Sequence, residues 1–452
     1  MKRSELLSPA GSLKSLRYAI AYGADAVYAG LPRYSLRVRN NEFRNTATLA
    51  EGITTARTAG KAFYLAVNVM PHNRKVKTYL DDLAPIIALK PDALIMADPG
   101  LIMLTRERWP DMPIHLSVQA NTVNHASVRF WQRQGIARVI LSRELSLDEI
   151  ADIRQQCPDT ELEVFVHGAL CIAYSGRCLL SGYFNHRDSN QGACTNACRW
   201  RYRLAPGTET AEGTLLPVAP LSPCGRGVGG EGLWISSRHT AADQAYLIEE
   251  TERRRDEWME ISEDEHGTYL MNSRDLCAIR HIRRLIGIGI DSLKIEGRTK
   301  SHYYAARTAQ IYKQAIDDAM AERDFNPDLL KQLDGLANRG YTEGFFDRRA
   351  SDTAPDTTQN YADGSSSNFT QQFVAEVIDH DPETGLSTLD VKNRFVVGDT
   401  LEIIAPEGNR TVLLNALWDL DGNTIAVAPG SGHVVKAGIG ATSSICFVSR
   451  KK

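Results

Sequence analysis

The chain repeats one unit eight times, a short apolar run followed by a stretch with helical spacing, and this repeat constrains the fold most. The runs are Glu5–Ala10 (ELLSPA), Ala26–Gly30 (AVYAG), Phe63–Asn68 (FYLAVN), Ala93–Asp98 (ALIMAD), Ile114–Gln119 (IHLSVQ), Arg138–Ser142 (RVILS) and Glu163–Gly168 (EVFVHG). The eighth, Ser292–Gly297 (SLKIEG), follows a long interruption. Unbroken apolar runs suit strands buried on both faces, which belong to parallel sheets wrapped by helices. The segments between them, such as Leu13–Tyr22 and Val123–Gln134, have the helical period. Eight such units predict an α/β protein with a TIM-like (β/α)8 barrel rather than an open doubly wound sheet.

The barrel is expected over residues 1–345, with an insertion at about 204–262 between the seventh and eighth strands. The insertion is rich in Gly and Pro, carries the charged run Glu249–Glu257, and reads as containing a flexible loop. Its Gly225, Gly227 and Gly230 match GxGxxG, but no strand precedes them and no clear helix follows, so dinucleotide binding is not indicated. After a helical stretch at Tyr303–Met320, the polar segment within 346–369 reads as a linker. Residues 370–452 change to short alternating runs (FVAEVIDH, STLDVKN, DTLEIIA) separated by turn sequences, which predicts a small C-terminal β-barrel or sandwich.

A formal net charge of −3 over 452 residues excludes a generally basic nucleic-acid binder but leaves room for one local basic face. No apolar run approaches the roughly 18 residues of a membrane span, so no membrane partner is expected and the cytoplasm is the expected location. In that compartment clustered cysteines are metal ligands or redox groups more often than disulfides.

Four of the eight cysteines, Cys171, Cys178, Cys194 and Cys198, are spaced C-x6-C-x15-C-x3-C among Gly, Ser and Asn. Soft thiolates suit zinc or an iron–sulfur cluster, and the spacing leaves both open. The CxxxCxxC pattern of radical chemistry with S-adenosylmethionine is not met, because Arg201 stands three residues after Cys198. Cys157 and Cys446 read as structural thiols, Cys224 as incidental, and Cys277 as a reserve ligand.

In a barrel of this kind the site forms at the C-terminal ends of the strands. Those ends supply Ser8, Tyr28, Asn68, Asp98, Gln119, Asn121, Ser142, Arg143, His167, Lys294, Glu296 and Arg298. Lys294, Glu296 and Arg298 alternate, so they share a face, and with Arg143 they suit an anionic substrate; a structural ion pair of Glu296 is the plain alternative. Glu163 and His167, in the seventh run beside the cysteines, are the candidate catalytic residues, although a lone histidine is most often a hydrogen-bonded core residue. Arg199, Arg201 and Arg203, interleaved with Trp200 and Tyr202, suit phosphate contact with base stacking. Arg33, Arg37, Arg39 and Arg44 form a second basic group, and either group could equally be a solvated face.

The stretch EVFVHGALCIAYSGRCLLS (Glu163–Ser181) resembles the signature of the collagenase-like peptidase family, with Glu163, Phe165, Gly168, Ala169, Cys171, Cys178 and Ser181 matching. ELLSPAGS, GADAVYAGL, NQGACTNACRWRY and SLKIEGRTKS extend the likeness over nearly the whole chain, leaving about 204–262 unmatched. Within that family the chain is most similar to members that hydroxylate the wobble uridine of tRNA in a prephenate-dependent reaction. The resemblance implies a 4Fe–4S cluster on Cys171, Cys178, Cys194 and Cys198, with Cys198 the weakest assignment. It also implies prephenate as co-substrate and tRNA as partner. The competing functions are hydroxylation of another RNA, proteolysis, and a non-catalytic scaffold. Proteolysis lacks its usual machinery here, since HExxH, GxSxG, DTG and DSG are all missing.

Overall fold

The computed structural model describes residues 1–36, 41–170, 202–209, 215–217, 246–250, 258–261, 274–297, 300–336, 338, 340–347, 371–440 and 445–451. Eight parallel strands close into a barrel: β1 (Glu5–Pro9), β2 (Ala26–Gly30), β3 (Ala62–Val67), β4 (Ala93–Met96), β5 (Ile114–Leu116), β6 (Arg138–Ile140), β7 (Glu161–Ala169) and β8 (Ser292–Ile295). β8 closes the ring by pairing in parallel with both β7 and β1, Lys294 lying opposite Phe165 on one side and Leu7 on the other. Nearly every strand residue is buried, which is why the runs lack alternation.

The strand-to-helix turns are set by capping residues. Ser12, Asn45, Asp98, Asn124, Ser146 and Ser301 each accept a hydrogen bond from a backbone amide in the first turn of the helix that follows. Ser146 and Glu149 add a reciprocal capping box. Asp98, one of the polar strand-end residues, therefore has a local structural task.

The described part of the insertion holds strands that its composition did not announce, and the stretches between them, where the flexible loop is expected, lie outside the described residues. Tyr202–Glu209, Leu215–Pro217, Tyr246–Glu250 and Trp258–Ile261 pair as a four-stranded antiparallel sheet. The Gly- and Pro-rich composition between these strands masked the short apolar runs YLIEE and WMEI that pair with each other. A short strand, Asp275–Cys277, then runs antiparallel to the far end of β7. The GxGxxG glycines, the linker from residue 348 onward, Arg37 and Arg39 lie outside the described residues.

The C-terminal domain is an eight-stranded antiparallel sheet with Gln371–His380 near its centre, joined to a two-stranded piece and packed around its own core. It docks on the barrel through Phe447 and Ile404, which belong to the barrel's hydrophobic cluster. Tyr22 donates to the carbonyls of Ile404 and Ile445 at 2.8 and 3.0 Å. At the same seam the buried Glu376 accepts from Tyr18 and pairs with Lys14 at 2.7 Å and His302 at 3.2 Å. His302 opens the long helix His302–Met320 that follows β8.

Candidate active site

Polar residues inside the barrel form a ladder of charge from its N-terminal end toward its mouth. At the bottom, Glu5 accepts from Tyr64 at 2.7 Å, from Ser292 at 2.9 Å and from Arg138 at 2.6 Å. Arg138 also bonds Glu161 at 2.8 Å and reaches the Glu163 carboxylate at 3.3 Å. Glu163, with no solvent exposure, accepts from the Lys294 ammonium at 2.7 Å, and Lys294 is itself only 3% exposed. Lys294 also lies 4.6 Å from the Tyr28 ring centre and 5.3 Å from that of Phe165. Burial alone would raise the Glu163 pKa, but Lys294, Arg138 and His115 outweigh it and hold the carboxylate below its usual range. Burial pushes His115 down to about 3, with Arg138 adding to the effect, and its Nδ1 finds no partner among the described residues. Most TIM barrels fill this space with branched apolar side chains. Here desolvated charges fill it, and such pairs persist only when each member keeps its partners.

Above the ladder lies the mouth. Arg143 stacks over Phe165 with its guanidinium 3.9 Å from the ring centre, donates to the Ala169 carbonyl at 3.0 Å and pairs with Glu296 at 3.6 Å. The Arg143 Nε is buried and meets no acceptor among the described residues. Asn68 donates to Ser117 at 3.2 Å, and Ser142 donates to Asn121 at 2.8 Å. The structure thus brings Arg143, Glu163, Lys294 and Glu296 into one column. Glu296 pairs with Arg143, and Lys294 pairs with Glu163.

His167 goes elsewhere. A register shift between Lys294 and Ile295 sets His167 opposite Ile295, and its ring lies 5.4 Å from Tyr312 and Tyr341 and 5.9 Å from Tyr304. Its Nδ1 is 3.3 Å from the Tyr312 hydroxyl, and burial pushes its pKa down to about 3. It is a neutral histidine between the barrel wall and the long helix. Cys277 shares that layer: it pairs opposite His167, lies 4.0 Å from the Tyr312 hydroxyl, and burial pushes its thiol up to about 12. Gly168 explains itself: φ is +104°, and a Cβ there would sit 2.5 Å from the Glu296 carbonyl oxygen.

Cys171, Cys178, Cys194, Cys198, Arg199, Arg201 and Arg298 lie outside the described residues, as does the side chain of Arg203. Of the second basic group, Arg33 pairs with Asp82 at 2.7 Å and Arg44 donates to the Asn41 carbonyl at 3.4 Å. Sequence reasoning missed Glu5, Tyr64, His115 and Arg138. The available signal was a polar residue inside each of four otherwise apolar strands.

The sequence matches the profile of peptidase family U32 over residues 11–355 and that of the family's C-terminal domain over residues 370–444. The chain belongs to peptidase family U32. A relative named tRNA hydroxylation protein P, from Escherichia coli, is 55% identical over 96% of this chain and 93% of its own length. The protein of the same name from Haemophilus influenzae is 54% identical over 96% and 92%. A 23S rRNA 5-hydroxycytidine synthase of Escherichia coli is 29% identical over 81% of this chain and 45% of its own.

Proposed function

We propose that this U32 protein hydroxylates RNA, and specifically that it converts the wobble uridine of tRNA to 5-hydroxyuridine in a prephenate-dependent reaction. The observation that carries this reading is the likeness to relatives named for tRNA hydroxylation, over almost the full length of both partners. The ribosomal RNA relative supports RNA hydroxylation more broadly. The ladder adds a reason to look at the mouth, because Arg143 offers a buried Nε without an acceptor among the described residues, and an anionic ligand would satisfy it. In this reading Arg143, Lys294 and Arg298 face the carboxylates of prephenate, and Glu296 holds Arg143 in place. Glu163 keeps Lys294 charged, and His167 braces the end of β7. Arg199, Arg201 and Arg203 meet the RNA backbone.

A 4Fe–4S cluster is the proposed cofactor, held by Cys171, Cys178, Cys194 and Cys198. The donor set is chemically apt, being four soft thiolates, and the first comes one residue after Leu170, where the chain leaves the end of β7. When bound, such a cluster supplies one-electron chemistry. Anaerobically purified protein should be brown with about four irons and four sulfides per chain, and a colourless protein holding one zinc would end the cluster assignment. The substrate is tested by nucleoside analysis of tRNA from a deletion strain lacking any redundant pathway. Loss of 5-hydroxyuridine, restored by the gene, is expected; its persistence would refute the reading. Peptide cleavage lost on Cys171→Ala but kept on Cys198→Ala would point to proteolysis instead.

A further inference from the structure

The loops at the C-terminal end of the barrel are not charged alike. Those after β1, β4 and β5 (residues 10–12, 97–98 and 117–124) carry no cation. The described loops after β2 and β3 (residues 31–36 with 41–45, and 68–78) carry Arg33, Arg44, Arg74, Lys75 and Lys77 against Glu42. In a chain of formal net charge −3, so local an excess of cations is not imposed by composition.

The two basic loops are stapled into one surface. The Val69 amide donates to the Tyr34 carbonyl at 3.1 Å. The Tyr34 hydroxyl donates to Asp82 at 2.6 Å and lies 3.3 Å from the Lys75 carbonyl. Asp82, in the helix Tyr79–Ile87, also pairs with Arg33 at 2.7 Å. Arg33 has a φ of +73°, a left-handed conformation uncommon for a residue with a Cβ, so this pair holds a strained turn in place. Asp82 is thereby engaged within the staple. Arg44, Arg74 and Lys77 are exposed and form no ion pair among the described residues, although Glu42 and Asp81 lie close in sequence.

Position gives this surface its meaning. In the ring of eight strands β3 is four strands from β7 in either direction. Its loop therefore stands across the mouth from the end of β7, which Cys171 follows in sequence. A basic face is often merely solvated. One that borders the mouth opposite the proposed RNA contacts of Arg199, Arg201 and Arg203 is placed to take phosphates of a strand laid over the mouth.

We propose that the loops after β2 and β3 form a phosphate-binding rim, in which Arg44, Arg74 and Lys77 hold the sugar–phosphate backbone of the substrate RNA. The proposal rests on the RNA reading above and adds the second side of the RNA path. Arg33 is a positioning residue, since its charge is given to Asp82 and its turn shapes the rim.

The test uses the full-length protein and an unmodified tRNA transcript, with affinity measured from low to high salt. The double variant Arg74→Gln with Lys77→Gln should lower the slope of log affinity against log salt by about 1.4, or about 0.7 for each single-strand phosphate contact. The loss of affinity should widen as salt falls. Both side chains are exposed, so the fold should survive, and thermal unfolding checks this. The control is Arg57→Gln with Lys90→Gln, which removes two exposed cations at the opposite end of the barrel and should leave the slope unchanged. Independently, tRNA should protect Lys77 but not Lys90 from acetylation read by mass spectrometry. If the wild-type protein binds no tRNA, the RNA reading falls and the rim with it. If it binds tRNA while the rim variant keeps the wild-type slope, or the control loses as much, or Lys77 stays unprotected, the rim alone is overturned.

Discussion

Glu163 in the middle of the barrel and Glu376 at the seam between the domains are both buried carboxylates held by cations, yet they are built differently. Glu163 faces Lys294 and Arg138, which are 3% and 7% exposed, so all three charges have left water. Glu376 faces Lys14, which is 49% exposed, together with His302 and the neutral Tyr18. The Lys14 ammonium at the seam keeps much of its hydration. Inside the barrel no member can be removed without stranding another charge in a dry interior, whereas at the seam the charge left by a lost carboxylate, that of Lys14, falls back on water. The first arrangement fixes a site and the second fastens two domains.

The largest effect that would expose this contrast is expected from Glu163→Gln, which leaves the buried Lys294 without its carboxylate and takes one of three carboxylate partners from Arg138. It should lower the unfolding free energy by about 3–5 kcal/mol in urea titrations. The double variant Glu163→Leu with Lys294→Met should recover much of that loss, and a double-mutant cycle showing no coupling would contradict the ladder. Glu376→Gln should cost less, about 1–3 kcal/mol.

The pH dependence separates the two regions further. Burial raises the Glu376 pKa, but the hydrogen bonds from His302, Lys14 and Tyr18 outweigh it and hold it at about 2, against an ordinary 4.5. Its contribution is therefore full above pH 4.5 and is lost as pH falls toward about 2, and Glu376→Gln should flatten that part of the stability profile. His115 behaves in a different window. Its pKa is depressed from 6.5 to about 3, so the unfolded chain binds a proton that the folded barrel refuses, and stability falls as pH drops from 6.5 toward 3. His115→Phe should reduce that slope by at most about 1.4 kcal/mol per pH unit, measured by urea unfolding across the range. The smallest change is expected from Cys277→Ala, a modest loss of stability with iron content unchanged. Loss of the proposed cluster in that variant would place Cys277 in its ligand set.

Much of the barrel was legible because its strands are buried on both faces, so that apolar runs separated by helical periods mark each unit. The insertion was less legible, since its strands are short and the Gly- and Pro-rich stretch between them dominates the composition. Arg143, Lys294 and Glu296 could be placed near the ends of the strands. Their partners could not: Glu296 meets Arg143 and Lys294 meets Glu163 because closure of the barrel brings β8 beside β7, a contact that no local spacing encodes. The outward turn of His167 follows from a one-residue register shift, which strict alternation along β7 would not reveal.

The claim that the chemistry belongs at the barrel mouth is tested most directly by nucleoside mass spectrometry of tRNA from the deletion strain carrying Arg143→Met. Arg143 is chosen because it sits at the mouth rather than within the ladder, so the variant should fold, which its thermal unfolding checks. The account predicts that 5-hydroxyuridine falls to the level of the deletion strain while the wild-type gene restores it. Wild-type levels of 5-hydroxyuridine with Arg143→Met as the sole copy would contradict it.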